Sequence, residues 1–151
     1  MLNPDYRDML FALSDAEAEF LVVGAFAMSA HGVLRNTGDI DVWIRPTPGN
    51  ALKVWKALLA FEAPMSQWSI DDFTNPDLVF QIGIRPNRID LLTSIDGVLF
   101  DTAWANRSSM MVEGRSIPVI GREELIQNKR VTGRPKDAVD VDLLQRAPSK
   151  P

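Results

Sequence analysis

The chain has 151 residues, 46% of them hydrophobic and 24% charged, with net charge −4, no cysteine and a single histidine, His31. These totals fit one globular domain and exclude disulfides, thiolate zinc sites, cysteine nucleophiles and multi-histidine metal centres. A metal would have to be held by oxygen, which favours Mg²⁺ or Mn²⁺, and the acidic balance argues against general nucleic-acid binding.

Asn3-Pro4 reads as an N-cap and first helical residue, opening a helix to about Leu13. Ser14 with Glu17 three residues on has the form of a capping box, which predicts that the helix restarts there. Phe20 to Val23 is a short apolar run ending at Gly24, read as a buried strand. Ala25 to His31 reads as helix, stopped by Gly32 in the left-handed conformation. His31 is read as a cation or donor at that helix's C-terminus. A strand follows over residues 39–45. Thr47-Pro48 opens the next helix, with Leu52, Trp55, Leu58 and Leu59 at helical spacing.

Residues 62–77 read as loop with room for a short helical turn. Leu78 to Ile84 and Arg88 to Thr93 read as a hairpin, its turn at Arg85-Pro86-Asn87 with proline second. Phe100 to Asn106 forms a helical turn. Met110 to Glu113 and Ser116 to Ile120 form a second hairpin around Gly114-Arg115. Helices over Glu123 to Val131 and Pro135 to Leu144 close the chain. Trp43, Trp55, Trp68 and Trp104 are read as packing residues. The order predicts an α/β (α+β) domain over residues 1–147, with a mixed sheet flanked by helices and with C-terminal helices; 148–151 is read as a frayed tail. No apolar run reaches the length of a membrane span, and Met1 to Asp5 lacks the character of a signal peptide, so the expected location is cytoplasmic.

Two acids stand out. In Asp39-Ile40-Asp41-Val42-Trp43-Ile44 a strand places Asp39 and Asp41 on one face, about 6.6 Å apart along the chain, and Ile40, Val42 and Ile44 on the other. Like charges so placed repel and call for a cation. One reading is a pair of divalent ions; another is a solvated strand face, or neutralisation by Arg35 and Arg45. Asp90, in Arg88-Ile89-Asp90-Leu91-Leu92, is a third candidate ligand if its strand lies beside 39–45, with an ion pair to Arg85 or Arg88 as its alternative. Gly24, between a strand and a helix, offers close backbone approach to a phosphate. Arg35 reads equally as a phosphate contact or as a balance for the acids. Asp137 and Asp140 read most simply as exposed acids near a helix N-terminus. Residues 115–136 hold Arg115, Arg122, Lys129, Arg130, Arg134 and Lys136 against Glu123 and Glu124, a local basic region suited to a polyanion.

Gly24, a helix of small residues, and then Arg35-x-Thr37-x-Asp39-Ile40-Asp41 resemble the nucleotidyltransferase superfamily related to DNA polymerase β, and in particular the small bacterial AbiEii-type abortive-infection proteins. Arg88 to Thr93 resembles the third-carboxylate strand. Leu125 to Lys129 followed by Arg134 to Asp140 resembles the C-terminal lysine and basic-acidic helix motif. The likeness spans roughly residues 20–144.

The resemblance implies a nucleotidyltransferase fold and transfer of a nucleoside monophosphate from an NTP to a hydroxyl acceptor, with release of pyrophosphate. It implies Mg²⁺ or Mn²⁺ on Asp39, Asp41 and Asp90, with Asp90 also helping to deprotonate the acceptor. Gly24 and Ala25 would shape the triphosphate turn; Arg35, Thr37, Lys129 and Lys136 would be further nucleotide contacts. Asp137 and Asp140 would orient those lysines or cap the helix. The acceptor would be a tRNA, a protein or a small molecule, docked with the help of the C-terminal helices or of a second subunit in a homo-oligomer. One departure is Ala25, where the family turn carries glycine or serine. It opens an alternative: a degenerate, non-catalytic partner in a toxin–antitoxin pair.

Overall fold

The computed structural model describes residues 2–148; the expectation for the last residues of the tail, 149–151, lies outside them. Asn3 caps the first helix, α1 (Pro4–Asp15), its side chain accepting the Asp5 N–H at 2.8 Å. The helix does not restart at Ser14. Glu17 turns back in the left-handed region with φ 60°, and the Ala18 N–H bonds the Leu13 carbonyl at 3.0 Å, closing the helix end in a Schellman-type arrangement. Strand β1 (Phe20–Val23) is buried along its length and leads into α2 (Gly24–Ala30). That helix ends by the same bond pattern, Val33 N–H to Met28 carbonyl, with Gly32 at φ 92°. His31 follows it, and its Nε2 meets the Ile120 carbonyl at 2.8 Å.

Strand β2 (Asp39–Ile44) is followed by α3 (Pro48–Phe61), capped by Thr47. Its buried stripe is Ala51, Val54, Ala57 and Leu58; of the apolar residues noted at helical spacing, Leu58 is buried while Leu52 and Leu59 are exposed. The alanines take the inner positions because α3 packs against α1, where small side chains allow close approach. A short 3₁₀ turn over Ile70–Thr74 carries Phe73, which stacks on Phe80 at 4.2 Å between centroids.

The hairpin β3 (Val79–Ile82) and β4 (Arg88–Leu92) is present, but its tight turn is Ile84–Asn87, closed by the Asn87 N–H at 2.8 Å. Pro86 is therefore third in the turn, after a cis bond from Arg85. Helix α4 (Phe100–Ala105) precedes the second hairpin, β5 (Ser108–Val112) and β6 (Arg115–Val119). Helices α5 (Arg122–Thr132) and α6 (Pro135–Arg146) pack on each other.

The six strands among the described residues form one mixed sheet in the order β3-β4-β2-β1-β6-β5. β2 runs antiparallel to β1 and parallel to β4, with Asp41 in register with Asp90. Ile40, Val42 and Ile44 lie in the core, as alternation requires, with Ile89 and Leu91 beside them on the same face. On the other face the strand changes character within a few residues. Trp43 is buried against Phe100 of α4, edge-on at 4.9 Å, whereas Asp39 and Asp41 remain partly open. The other tryptophans pack as well, Trp55 and Trp68 against Phe73 and Trp104 against Phe100. No helix among the described residues is long and apolar enough to cross a membrane.

Candidate active site

Parallel pairing of β2 with β4 decides the site. Because Asp39 is in register with Arg88 and Asp41 with Asp90, all four side chains project from one sheet face. Carboxylate oxygens of Asp39, Asp41 and Asp90 lie within 4.8 Å of one another. The three acids that the sequence singled out are thus brought together.

They are not equivalent. Asp39 has both oxygens engaged: Oδ1 accepts from the Thr37 hydroxyl at 2.6 Å and Oδ2 from Arg88 Nη2 at 2.7 Å. Arg85 stands 3.5 Å away. Burial pushes this carboxyl's pKa up, but the Thr37 and Arg88 hydrogen bonds outweigh it and hold the group below its ordinary value. Asp90 is buried. Burial raises its pKa against the opposing pull of Arg88. Arg88 Nε comes within 3.1 Å of Asp90 Oδ1 but off the hydrogen-bonding line, so Oδ1 remains a buried acceptor with no hydrogen bond among the described residues. Among those residues no cation pairs with Asp41. Burial, then the charges of Asp39 and Asp90, push its pKa up to about 7.

Arg88, and not Arg35 or Arg45, therefore balances the acids. Arg45 pairs with Glu19 at 2.5 Å and with Asp101. Arg35 pairs with Asp140 of α6. Asp140 also accepts from Lys129 of α5 at 2.9 Å. Asp137 accepts from Thr132 at 2.7 Å and from the backbone and side chain of Arg134 at 3.1 and 2.8 Å, capping α6. Neither acid is exposed as helical position suggested: Asp137 is 0% and Asp140 7% accessible. Folding α5 back onto α6 buries them against Lys129 and Thr132, and Arg35 reaches Asp140 from 105 residues away.

The acids open onto a cleft of about 980 Å³, lined also by Gly24, Ala25, Arg35, Thr37, Lys129 and Lys136. Every residue marked in the sequence as a candidate contact is on its wall. Arg85 and Arg134 line it too; the sequence offers them only as an alternative partner of Asp90 and as part of the basic region, respectively. The pairing of Arg88 with Asp90 was readable from their spacing of two, whereas its reach to Asp39 comes only from the strand register. A second groove of about 790 Å³, between α1 and the β3–β4 hairpin, contains none of the three acids. Gly24 has φ +67°, and a Cβ there would collide with Asp41 Oδ2. The glycine lets the start of α2 lie directly against the cluster.

A tight set of hard oxygen donors, one of them a buried acceptor without a partner and another a carboxylate without a counter-ion, fits Mg²⁺ or Mn²⁺.

No protein-family model matches the sequence, and no curated protein does. Solved structures do match. The lincomycin-bound lincosamide antibiotic adenylyltransferase LnuA superposes with a TM-score of 0.62 at 15% identity, covering 97% of this chain and 98% of that one. A Thermotoga maritima protein described as a candidate nucleotidyltransferase gives 0.60 at 18% identity, over 96% and 95%. The antibiotic-resistance factor ANT(2'')-Ia gives 0.55 at 13% identity, over 93% and 87%. The chain has the nucleotidyltransferase fold, and its described residues form a mixed six-stranded sheet and six α-helices.

Proposed function

We propose that the protein is a metal-dependent nucleotidyltransferase that moves a nucleoside monophosphate from an NTP to a hydroxyl acceptor and releases pyrophosphate. The observation that carries this reading is the convergence of Asp39, Asp41 and Asp90 from two adjacent parallel strands at the floor of a cleft walled by basic side chains. Asp39, Asp41 and Asp90 would hold Mg²⁺ or Mn²⁺. Bound there, the ion would supply charge neutralisation at the phosphates and lower the pKa of the acceptor hydroxyl.

The chain's own residues do the rest. Asp90 is buried at the base of the cluster, where it would ligate the ion and take up the acceptor's proton. Thr37 and Arg88 fix the rotamer of Asp39. Gly24 and Ala25 bring backbone to the same wall, where Lys129, Lys136 and Arg35 give the triphosphate cationic partners. The Asp140 carboxylate holds Lys129 and Arg35 in place. Net charge −4 weighs against a broad RNA surface, so a tRNA acceptor would have to engage the basic C-terminal third locally.

Labelled NTPs incubated with the protein, Mn²⁺ and a cell extract test this reading. A labelled small molecule, protein or RNA, lost in the Asp39→Ala/Asp41→Ala double variant, supports it and names the acceptor class. Equal labelling by the double variant refutes it. Ala25, which removes a side-chain donor from the turn, favours a second reading: an AbiEii-type protein degenerate in catalysis and acting through a cognate partner. Stabilisation by neither Mn²⁺ nor any NTP in thermal melts would favour that reading.

A further inference from the structure

Arg88 sits where a cation is needed. It lies on β4 two residues before Asp90, in register with Asp39 across the strand pair. Its Nη2 is 2.7 Å from Asp39 Oδ2 and 3.2 Å from Asp90 Oδ2, so one guanidinium ties together carboxylates from neighbouring strands. With Thr37 on the other oxygen, Asp39 has both oxygens occupied. A guanidinium keeps its charge across the working pH range, so this counter-ion is not lost by titration. Its side chain is 22% exposed, which leaves it a path toward the cleft. Other cations of the cleft wall are arranged differently: Lys129 and Arg35 pair with Asp140, outside the cluster, and Arg134 with Asp137. Arg88 alone among the described residues bridges two acids of the cluster.

A charge in that place has two consequences. It offsets repulsion among three carboxylates that would otherwise push β2 and β4 apart at this end. It also takes up carboxylate oxygens and adds positive charge where a divalent ion would be held. Resting on the metal-dependent reading above, we propose that Arg88 is an internal counter-ion of the acidic cluster that competes with the divalent cation and sets the site's metal affinity. The cluster stays assembled without metal because Arg88 holds it, and metal binding has to draw carboxylates away from Arg88.

The test is Mn²⁺ titration, read by electron paramagnetic resonance of free Mn²⁺, on the full chain and on Arg88→Gln and Arg88→Lys. Competition predicts that Arg88→Gln binds Mn²⁺ about tenfold more tightly or better, since a unit positive charge leaves the ligand set. Arg88→Lys keeps the charge but loses the bridging fork, and should fall between the two. Without metal, Arg88→Gln should melt below the parent, and Mn²⁺ should raise its melting temperature more than the parent's. Unchanged or weaker binding in Arg88→Gln overturns the proposal, because a residue that merely positions the acids would lose affinity when removed. If Arg88→Gln does not fold, the Lys variant decides by the same criterion: tighter binding supports competition, and unchanged or weaker binding overturns it. Absence of Mn²⁺ binding in parent and variants alike overturns both this proposal and the metal-dependent reading. Tighter binding in the variants without nucleotide transfer by any form leaves Arg88's role standing and removes only the transferase reading.

Discussion

Replacing Asp41 by Asn should stabilise the metal-free protein. Asp41 is pressed among two other carboxylates without a cation of its own, and its pKa is pushed from an ordinary 3.8 to about 7. At about 1.4 kcal/mol per pH unit this displacement corresponds to a destabilisation of about 4 kcal/mol once the group is ionised in both states. The residue is partly open to solvent, and screening brings the expected net effect to about 2 kcal/mol. The sign follows from linkage. The folded pKa lies above the unfolded one, so the unfolded chain releases its proton first as pH rises. Stability is therefore lost progressively from about pH 4 to pH 7 and then levels off.

Asn is close in shape and carries no charge, so it avoids this loss. In thermal melts with EDTA, Asp41→Asn and the parent should coincide near pH 4. They should separate as pH rises, and above pH 7 differ by about 4–8 °C in favour of the variant. Mn²⁺ should raise the parent's melting temperature and leave the variant's nearly unchanged. A variant less stable than the parent at pH 8 without metal would mean instead that Asp41 is compensated in the fold.

Gly24→Ala should cost about 1–2 kcal/mol, because φ +67° disfavours a side chain and the added methyl meets Asp41 Oδ2. Chemical denaturation measures the cost, and Mn²⁺ affinity should fall with it; an unperturbed variant would contradict the close approach. Asp137→Asn should destabilise by about 1–2 kcal/mol at pH 7 through loss of the charge-assisted bonds to the Arg134 guanidinium. Arg134's side-chain hydrogen bond, above all, holds the Asp137 carboxyl well below its ordinary range. Its contribution is thus complete above about pH 4 and fades as pH falls through the folded value, so the parent–variant gap in urea denaturation should narrow in acid. A gap independent of pH would argue against an ionised Asp137.

The site was legible where chemistry follows from local periodicity. Asp39 and Asp41 share a face because strands alternate, and a carboxylate inside Arg88 to Leu92 marks its strand as unusual whatever its neighbours. The register of Asp41 with Asp90 was not legible, since it depends on pairing between segments 49 residues apart. The same limit hid the ion-pair partners. Arg35 and Arg45 flank the acid pair in the chain, yet each is drawn to acids elsewhere, while Arg88 arrives with β4. Asp137 and Asp140 look like solvated helix acids until α5 folds Lys129 and Thr132 over them. Helix ends were legible at Gly32, where a glycine takes the left-handed position. They were missed at Glu17, because a non-glycine residue does the same there. Leu52 and Leu59 had the right spacing for a core stripe, but the alanines won it because α1 approaches that side of α3.

Everything proposed for this chain depends on three carboxylates acting together as one ligand set. Mn²⁺ titration of the parent beside Asp39→Ala, Asp41→Ala and Asp90→Ala, with circular dichroism confirming that each folds, addresses this directly. The parent should bind saturably, and each single variant should lose at least about tenfold in affinity. Binding by the parent that survives any one of these substitutions unchanged, or no binding at all, would contradict a shared ligand set.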